Sequence, residues 1–396
     1  MISWTTTQQT VFPQGMLQIR GHLTQDQEGK TMITLPNIIV KTPIYESDQT
    51  LVYRGIRTED HQRVIIKILQ FDYPTPRQLN RYQQEYEIIQ RLPFEGVVQA
   101  YSLEKYQNTL ILILEDFGGN SLKQWREIRQ FSLEEILKIF IKVAETLSQI
   151  HGAHIIHKDI NPGNLIYNPE TEMVKITDFG ISSVLSRENP TGKNPNILEG
   201  TLAYISPEQT GRMNRGLDYR TDFYSFGVSL YEMLTNKVPF HSDDPLELVH
   251  CHIAKPPIPP HEINTAIPIA VSNILMKLLS KTGEERYLSA WGIQSDLIFC
   301  LMQLQAHNEI EEFNLGENDI SDQFHLSQKL YGRAEDIEIL RRSFAGFMDG
   351  IKEKNDSNPD SASPSHRSEI ILLAGDAGIG KSAIAQEMYQ VVTEKR

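Results

Sequence analysis

Cysteine is nearly absent: the 396 residues contain two, Cys251 and Cys300. Two thiols cannot form a disulfide framework or supply a structural zinc with its four ligands, so the chain suits a reducing compartment. Also missing is any apolar run near the ~20 residues that a membrane-spanning helix needs. The opening MISWTTTQQTVFPQG has neither a basic leader nor an apolar core, so no export signal is expected and a cytoplasmic location is. Positive charge is in deficit, with 38 Lys and Arg against 51 Asp and Glu, a net charge of −13. That balance repels polyanions and argues against nucleic acid or an anionic membrane as main partner, while leaving room for a local basic groove. The remaining composition, 40% hydrophobic and 22% charged, is that of a folded chain.

The pattern changes along the chain. Residues 1–31 are polar and aperiodic, and are expected to be a disordered extension. From Met32 come the β-branched runs ITLPNIIV, LVYRGI and VIIKIL, which read as strands. A helical stretch from Arg77 to Leu92 precedes a further strand, Leu110 to Leu114. Ser132 with Glu135 three residues on forms a capping box. It opens a helix whose apolar residues Ile136, Phe140, Val143, Leu147 and Ile150 fall on one face, a core stripe. Helical text runs to Leu304. Strand-rich text followed by helix-rich text predicts an α+β fold or two lobes. An acidic stretch then forms a linker over 305–329, and 351–368 is Pro- and Ser-rich, the composition of a disordered loop.

Three short segments carry chemistry. In His157-Lys-Asp159-Ile-Asn-Pro-Gly-Asn164, a carboxylate can accept a hydroxyl proton while an amide oxygen five residues on reaches a magnesium ion. Taken alone, this segment also reads as an ordinary turn. Fourteen residues further, Ile176-Thr177-Asp178-Phe179-Gly180 ends an apolar run with a lone Asp, a hard oxygen ligand for a metal-bound phosphate. Upstream, Val64-Ile-Ile-Lys67 places a lysine in an apolar strand, where it needs anionic company. Glu85 is the candidate partner and Glu87 the competitor.

In this order, Lys67, Glu85, His157-Lys-Asp159, Asn164, Asp178-Phe-Gly, Ser206-Pro-Glu208 and Asp222-Phe-Tyr-Ser-Phe-Gly227 resemble the catalytic lysine, αC glutamate, HRD, DFG, APE and DxWSxG motifs of the protein kinase family. Arg286 resembles the late arginine that pairs with the APE glutamate, here Glu208. The likeness covers residues 36–304 and is to the bacterial eukaryotic-type (Hanks-type) serine/threonine kinases. It implies a two-lobed α+β fold, with an N-lobe over 36–115, a C-lobe over 118–304, and ATP with Mg2+ between them. The resemblance implies catalytic roles for Asp159, Lys67 and Glu85, and ATP contacts from Val52, Lys67, Glu115, Phe117, Asn164 and Asp178. It further implies metal ligation by Asn164 and Asp178, and structural or substrate-docking roles for Thr201, Glu208, Asp222 and Arg286. Leu114 matches the gatekeeper, and Thr201 favours Ser or Thr side chains of protein substrates as acceptors.

The pattern is broken in four places. The phosphate-covering loop, Tyr45-Glu-Ser47-Asp-Gln-Thr50-Leu-Val52, has no glycine where the family has three, and Glu46 and Asp48 add charge of the wrong sign. Ile65 stands where the family has Ala, narrowing the adenine pocket. Asn161 replaces the lysine two residues after the catalytic Asp, which slows transfer rather than abolishing it. Lys158 replaces the Arg of HRD and cannot make a bidentate fork with a phosphorylated activation segment. Ser182, Ser183, Ser186 and Thr191 are candidate sites of such phosphorylation. The alternative class is a pseudokinase, an ATP-binding scaffold without transfer. Small-molecule phosphotransferases, which share the His-x-Asp and Asn pattern, lack Ser-Pro-Glu and Asp-x-Tyr-Ser-x-Gly.

A second nucleotide motif lies near the end of the chain. Ile370 to Ala374 reads as a strand, followed by Gly375-Asp-Ala-Gly-Ile-Gly380-Lys381-Ser382, a full P-loop pattern. Gly375 and Gly380 would bring backbone amides to phosphates, with Lys381 on their oxygens and Ser382 on magnesium. Only 14 residues follow, leaving no room for the remaining strands of such a domain. Residues 330–396 therefore read as the start of a P-loop ATPase domain, an incomplete α/β segment cut short. Its lead-in, Leu330 to Leu340, resembles the ATPase domains that follow the kinase in long bacterial sensor kinases, so downstream sensor or ATPase modules are expected as partners.

Overall fold

The computed structural model describes residues 35–47, 50–70, 73–184, 200–211 and 217–320, the backbone of three short strands before them, and the helical residues Glu338 and Arg342. The chain divides into two compact units, residues 1–210 with 217–320, and residues 211–216 with 321–396. Of the second unit, only Gly211, Glu338 and Arg342 are described, the last two forming an i,i+4 ion pair. The P-loop residues Gly375, Gly380, Lys381 and Ser382 lie outside the described residues, as do Asp48, Ser186 and Thr191.

The first unit begins with β1 (Gln18–Ile19), β2 (Leu23–Gln25) and β3 (Thr31–Ile33), then β4 (Ile38–Glu46), β5 (Thr50–Arg57) and β6 (Arg63–Leu69). Helix α1 (Pro76–Ile89) follows, then β7 (Ala100–Tyr106) and β8 (Thr109–Glu115). Three strands thus fall within or beside the expected 1–31 extension; its other residues are outside the description. One sheet runs β1-β7-β8-β6-β5-β4, antiparallel except for the β1–β7 pair. The apolar runs of β6 and β8 do not alternate with polar residues because both faces are covered. Val64, Ile66 and Ile68 of β6 join Ile111 and Ile113 of β8 in a core on one face. On the other face, Leu69, Leu110, Leu112 and Leu114 pack with α1 residues Leu79, Ile88 and Ile89. Period two therefore puts Ile65, Lys67 and Leu69 on that second face, and all three line the cleft.

The chain then forms β9 (Asn120–Ser121), α2 (Leu122–Ile128), α3 (Leu133–Gly152), β10 (Ile155–Ile156), β11 (Leu165–Asn168), β12 (Met173–Ile176) and β13 (Ser183–Val184). Helices α4 (Arg220–Thr235), α5 (Pro245–Ala254), α6 (Pro260–Ile263), α7 (Ile269–Leu278) and α8 (Ala290–His307) complete it. Three helix starts carry reciprocal capping boxes, at Thr75 with Gln78, Ser121 with Gln124 and Ser132 with Glu135. The stripe Ile136, Phe140, Val143, Leu147 and Ile150 is buried, each residue at most 3% exposed. α4 and α7 approach closely at Gly227, where an added Cβ would lie 2.8 Å from that of Leu278. Beyond α8 the chain turns back on it: Ile310 is buried, and the Asp319 carboxylate accepts the amides of Leu288 and Ser289 and the Ser289 hydroxyl at 2.6–2.9 Å. Among the described residues no helix is long and apolar enough to cross a membrane.

Candidate active site

A cleft of about 1130 Å3 is lined by β4–β6, α1, the 114–121 segment, the 159–166 loop and the 177–181 and 200–204 segments. On its β side, the ammonium of Lys67 lies 2.8 Å from both Glu85 carboxylate oxygens and 2.9 Å from Oδ1 of Asp178. Between the two candidate partners the helix face decides. Glu85 is 1% exposed, while Glu87, two residues on, accepts a bond from Gln83 at the surface. Burial works against the Lys67 charge, but Asp178 and Glu85 outweigh it and hold the ammonium protonated above its usual range. Burial, opposed by Lys67, pushes the Glu85 carboxyl up to about 7. Asp178 itself is held at a positive φ of 67°, a strained position for a residue with a side chain.

Across the cleft, the 157–164 loop is held from beneath by one buried carboxylate. Asp222, 0% exposed, accepts the His157 amide at 2.9 Å, the Lys158 amide at 2.7 Å and a His151 ring nitrogen at 2.8 Å. Burial raises its pKa, but these partners outweigh burial and keep it below the usual carboxylate range. The His157 ring packs edge-on against Phe179 at 4.7 Å, and its Nε2 lies 3.1 Å from the Thr177 carbonyl. The loop is thereby tied to the Asp178 strand end. Above it, Asp159 accepts the Thr201 amide at 3.0 Å and the Asn164 side-chain amide at 3.1 Å. Gly200, at φ 103°, lets Thr201 approach; a Cβ there would lie 3.3 Å from the Lys158 carbonyl.

Asn161 is a brace within this loop. Its side chain donates to the Asp159 carbonyl at 3.0 Å and accepts the Gly163 amide at 2.9 Å, and it reaches the Thr201 hydroxyl at 3.5 Å. Lys158, at φ 72°, is 5% exposed and buried beneath the loop. Behind it, Glu208 and Arg286 form a two-pronged ion pair at 2.6 and 2.9 Å, with the Arg286 side chain fully buried.

The end of the cleft where the sequence pattern expects adenine is framed by Val52, Ile65, Leu114, Glu115 and Phe117. Sequence reading missed what fixes it. Lys175 of β12 pairs with both Glu115 oxygens at 2.8 and 2.9 Å, with its ammonium 5.3 Å from the Phe117 ring centre, and Asn168 donates to the Phe117 carbonyl at 2.8 Å. Arg54 and Arg63 flank the next carboxylate, Asp116, and Arg54 also bonds the Gly119 carbonyl and Asn120. The one signal for Lys175 was a lysine in the apolar run before Asp178, the same signal that exposed Lys67.

The oxygens of Asp178 and Asn164 are the hard donors that magnesium takes. Among the described residues no cluster of three or more His, Cys, Asp or Glu could hold a metal unaided. Magnesium at nucleotide sites is commonly held by one or two protein groups and by phosphates rather than by a protein cage.

The sequence model of the protein kinase domain matches residues 46–296. A probable serine/threonine-protein kinase of Clostridium acetobutylicum is 30% identical over 249 residues, 62% of this chain and 37% of that protein. One from Clostridium perfringens is 34% identical over 254 residues, 64% and 36%, and the serine/threonine-protein kinase PrkC of Bacillus subtilis is 28% identical over 239 residues, 60% and 36%. The chain thus spans little more than a third of the length of these relatives. With the lysine, both carboxylates and the loop amide assembled around the cleft, the Glu208–Arg286 pair formed, and more than half of its length matched, the chain belongs to the protein kinase family.

Proposed function

We propose that this protein transfers the γ-phosphoryl group of ATP to serine or threonine hydroxyls of other proteins. The observation that carries the reading is the Lys67 ammonium shared between Glu85 and Asp178, in the same cleft as Asp159 and Asn164. Lys67, fixed by Glu85, orients the α- and β-phosphates. Asp159, steadied by the Thr201 amide and by Asn164, accepts the proton of the attacking hydroxyl. Asp178 and Asn164 would hold magnesium, which would neutralise charge on the phosphates. Thr201, hydrogen-bonded through its backbone to Asp159, supports Ser or Thr over Tyr as acceptor, in keeping with the serine/threonine kinases named above.

The downstream segment 330–396 belongs, on this reading, to an ATPase module that works with the kinase. The compartment is the cytosol, which supplies ATP; both cysteines are buried and unpaired, as a reducing compartment would leave them. The test is incubation with labelled ATP and magnesium, comparing wild type, Asp178→Ala and Lys381→Ala. Label on protein that is lost in Asp178→Ala and kept in Lys381→Ala supports transfer at this cleft. Nucleotide bound with no label in any variant makes the protein a pseudokinase scaffold instead.

A further inference from the structure

The hairpin that covers the phosphate end of the cleft has no glycine, and its hydrogen bonds show a consequence. Ser47 closes the turn on Thr50: the Ser47 amide donates to the Thr50 carbonyl at 3.0 Å, and the Thr50 amide donates to the Ser47 hydroxyl at 3.1 Å. The Ser47 hydroxyl also reaches the Thr50 carbonyl at 3.3 Å. Both backbone groups of Thr50 are therefore engaged within the turn. A glycine hairpin offers phosphate its backbone amides; here the Thr50 amide is already spoken for. What Thr50 still presents to the cleft is its hydroxyl, which lies 3.3 Å from the Tyr82 hydroxyl on α1.

Tyr82 is 5% exposed, and its ring centre is 5.5 Å from the Lys67 ammonium. Burial raises its phenol above the usual range, so it remains a neutral O–H donor. Either hydroxyl can donate in that pair, and when Tyr82 donates, the Thr50 hydrogen turns to another acceptor such as a phosphate oxygen. Ser47, Thr50, Tyr82, Lys67 and Asp178 all line the same cleft.

We propose that the Thr50 hydroxyl, oriented by Tyr82, is a phosphate-binding donor of this cleft, in place of the Thr50 amide, which Ser47 already holds. The inference rests on the reading of the cleft as an ATP site, and it makes Tyr82 a positioning residue that joins α1 to the hairpin. A hydroxyl donated to an anionic oxygen is a charge-assisted bond, and its loss is expected to weaken binding about tenfold.

The test is calorimetric titration of the full chain carrying Lys381→Ala, so that only the cleft is read, with ATP and magnesium, ADP and adenosine. Thr50→Val should weaken ATP and ADP about tenfold and leave adenosine, which has no phosphate, unchanged; Thr50→Ser should restore the affinity. Tyr82→Phe should weaken ATP less and add nothing further to Thr50→Val. The proposal is overturned if Thr50→Val binds ATP as tightly as the parent, or if adenosine weakens equally, which marks general damage to the pocket. A parent that binds ATP but labels no protein removes the kinase reading alone, and the titrations still judge Thr50. A parent that binds no ATP removes both.

Discussion

The two walls of the cleft are held in different ways. The 157–164 loop rests on a fully buried carboxylate that takes two backbone amides and a histidine, with an aromatic contact beside it. The β4–β5 hairpin, paired with β6 in the sheet, is closed by Ser47 on Thr50 and meets α1 through one hydroxyl pair. In the first, each group is a partner of several others, so changing one leaves buried polar atoms unpaired. In the second, the described side-chain contacts at the tip lie within the turn, at the Tyr82 hydroxyl and at Gln124, which donates to the Ile44 carbonyl. The chain departs from the kinase pattern in both walls: the hairpin has lost all three glycines, and the loop carries Lys158 and Asn161 in place of an arginine and a lysine, while Asp159, Asn164, Asp178 and Asp222 remain.

The largest expected effect is on chemistry at the braced wall. Asp159→Ala should lower the transfer rate ~10²–10⁴-fold, the range for a positioned general base, with ATP affinity little changed. Single-turnover kinetics beside a binding titration would check this; parallel losses in both would erase the division between the walls. Next comes Asp222→Ala, which leaves two buried amides without an acceptor. At about 1–3 kcal/mol for each, denaturant unfolding should show a loss of about 2–6 kcal/mol, and a loss under 1 kcal/mol would mean the loop is not braced from below. Asn161→Ala removes one brace while the Asn164 side chain still donates to the Asp159 carbonyl at 2.9 Å, so about 1 kcal/mol is expected, with a slower transfer step.

A separate effect concerns acid. His252 is fully buried against Phe240 and Tyr224, and burial lowers its pKa to about 4 from the ordinary 6.5. Between those values the unfolded chain binds the proton and the folded chain does not. Stability present above pH 6.5 is therefore lost as pH falls towards 4. His252→Gln should flatten that part of the stability profile, measured by unfolding at a series of pH values; an unchanged slope would assign the acid sensitivity elsewhere.

The residues proposed for catalysis stand out in the sequence because the kinase pattern they resemble sets particular groups at short spacings. Asp159 and Asn164 are five residues apart, and Asp178 is fourteen further on. The helix of 133–152 was legible for a similar reason, since its cap and stripe are local. What was not legible joins distant residues: His151 to Asp222, Lys175 to Glu115, Tyr82 to Thr50. Nothing in the local text around Lys175 says that its partner lies 60 positions earlier. The choice between Glu85 and Glu87 was likewise settled by which face of α1 meets the sheet. Asn161, expected only as a lost cation, is a brace, and side-chain identity alone does not show that it bonds its own loop.

Asp319 closes the start of α8 from a position beyond the helix's far end. The last helix of the unit is therefore finished only after the chain has passed it and come back. A protease cutting after residue 304, or a recombinant chain ended there, would strip the acceptor from the Leu288 and Ser289 amides and uncover Ile310's site on the core. The smallest piece that keeps this carboxylate on the residues leading into α8 ends at about Ile320, the boundary of the first compact unit.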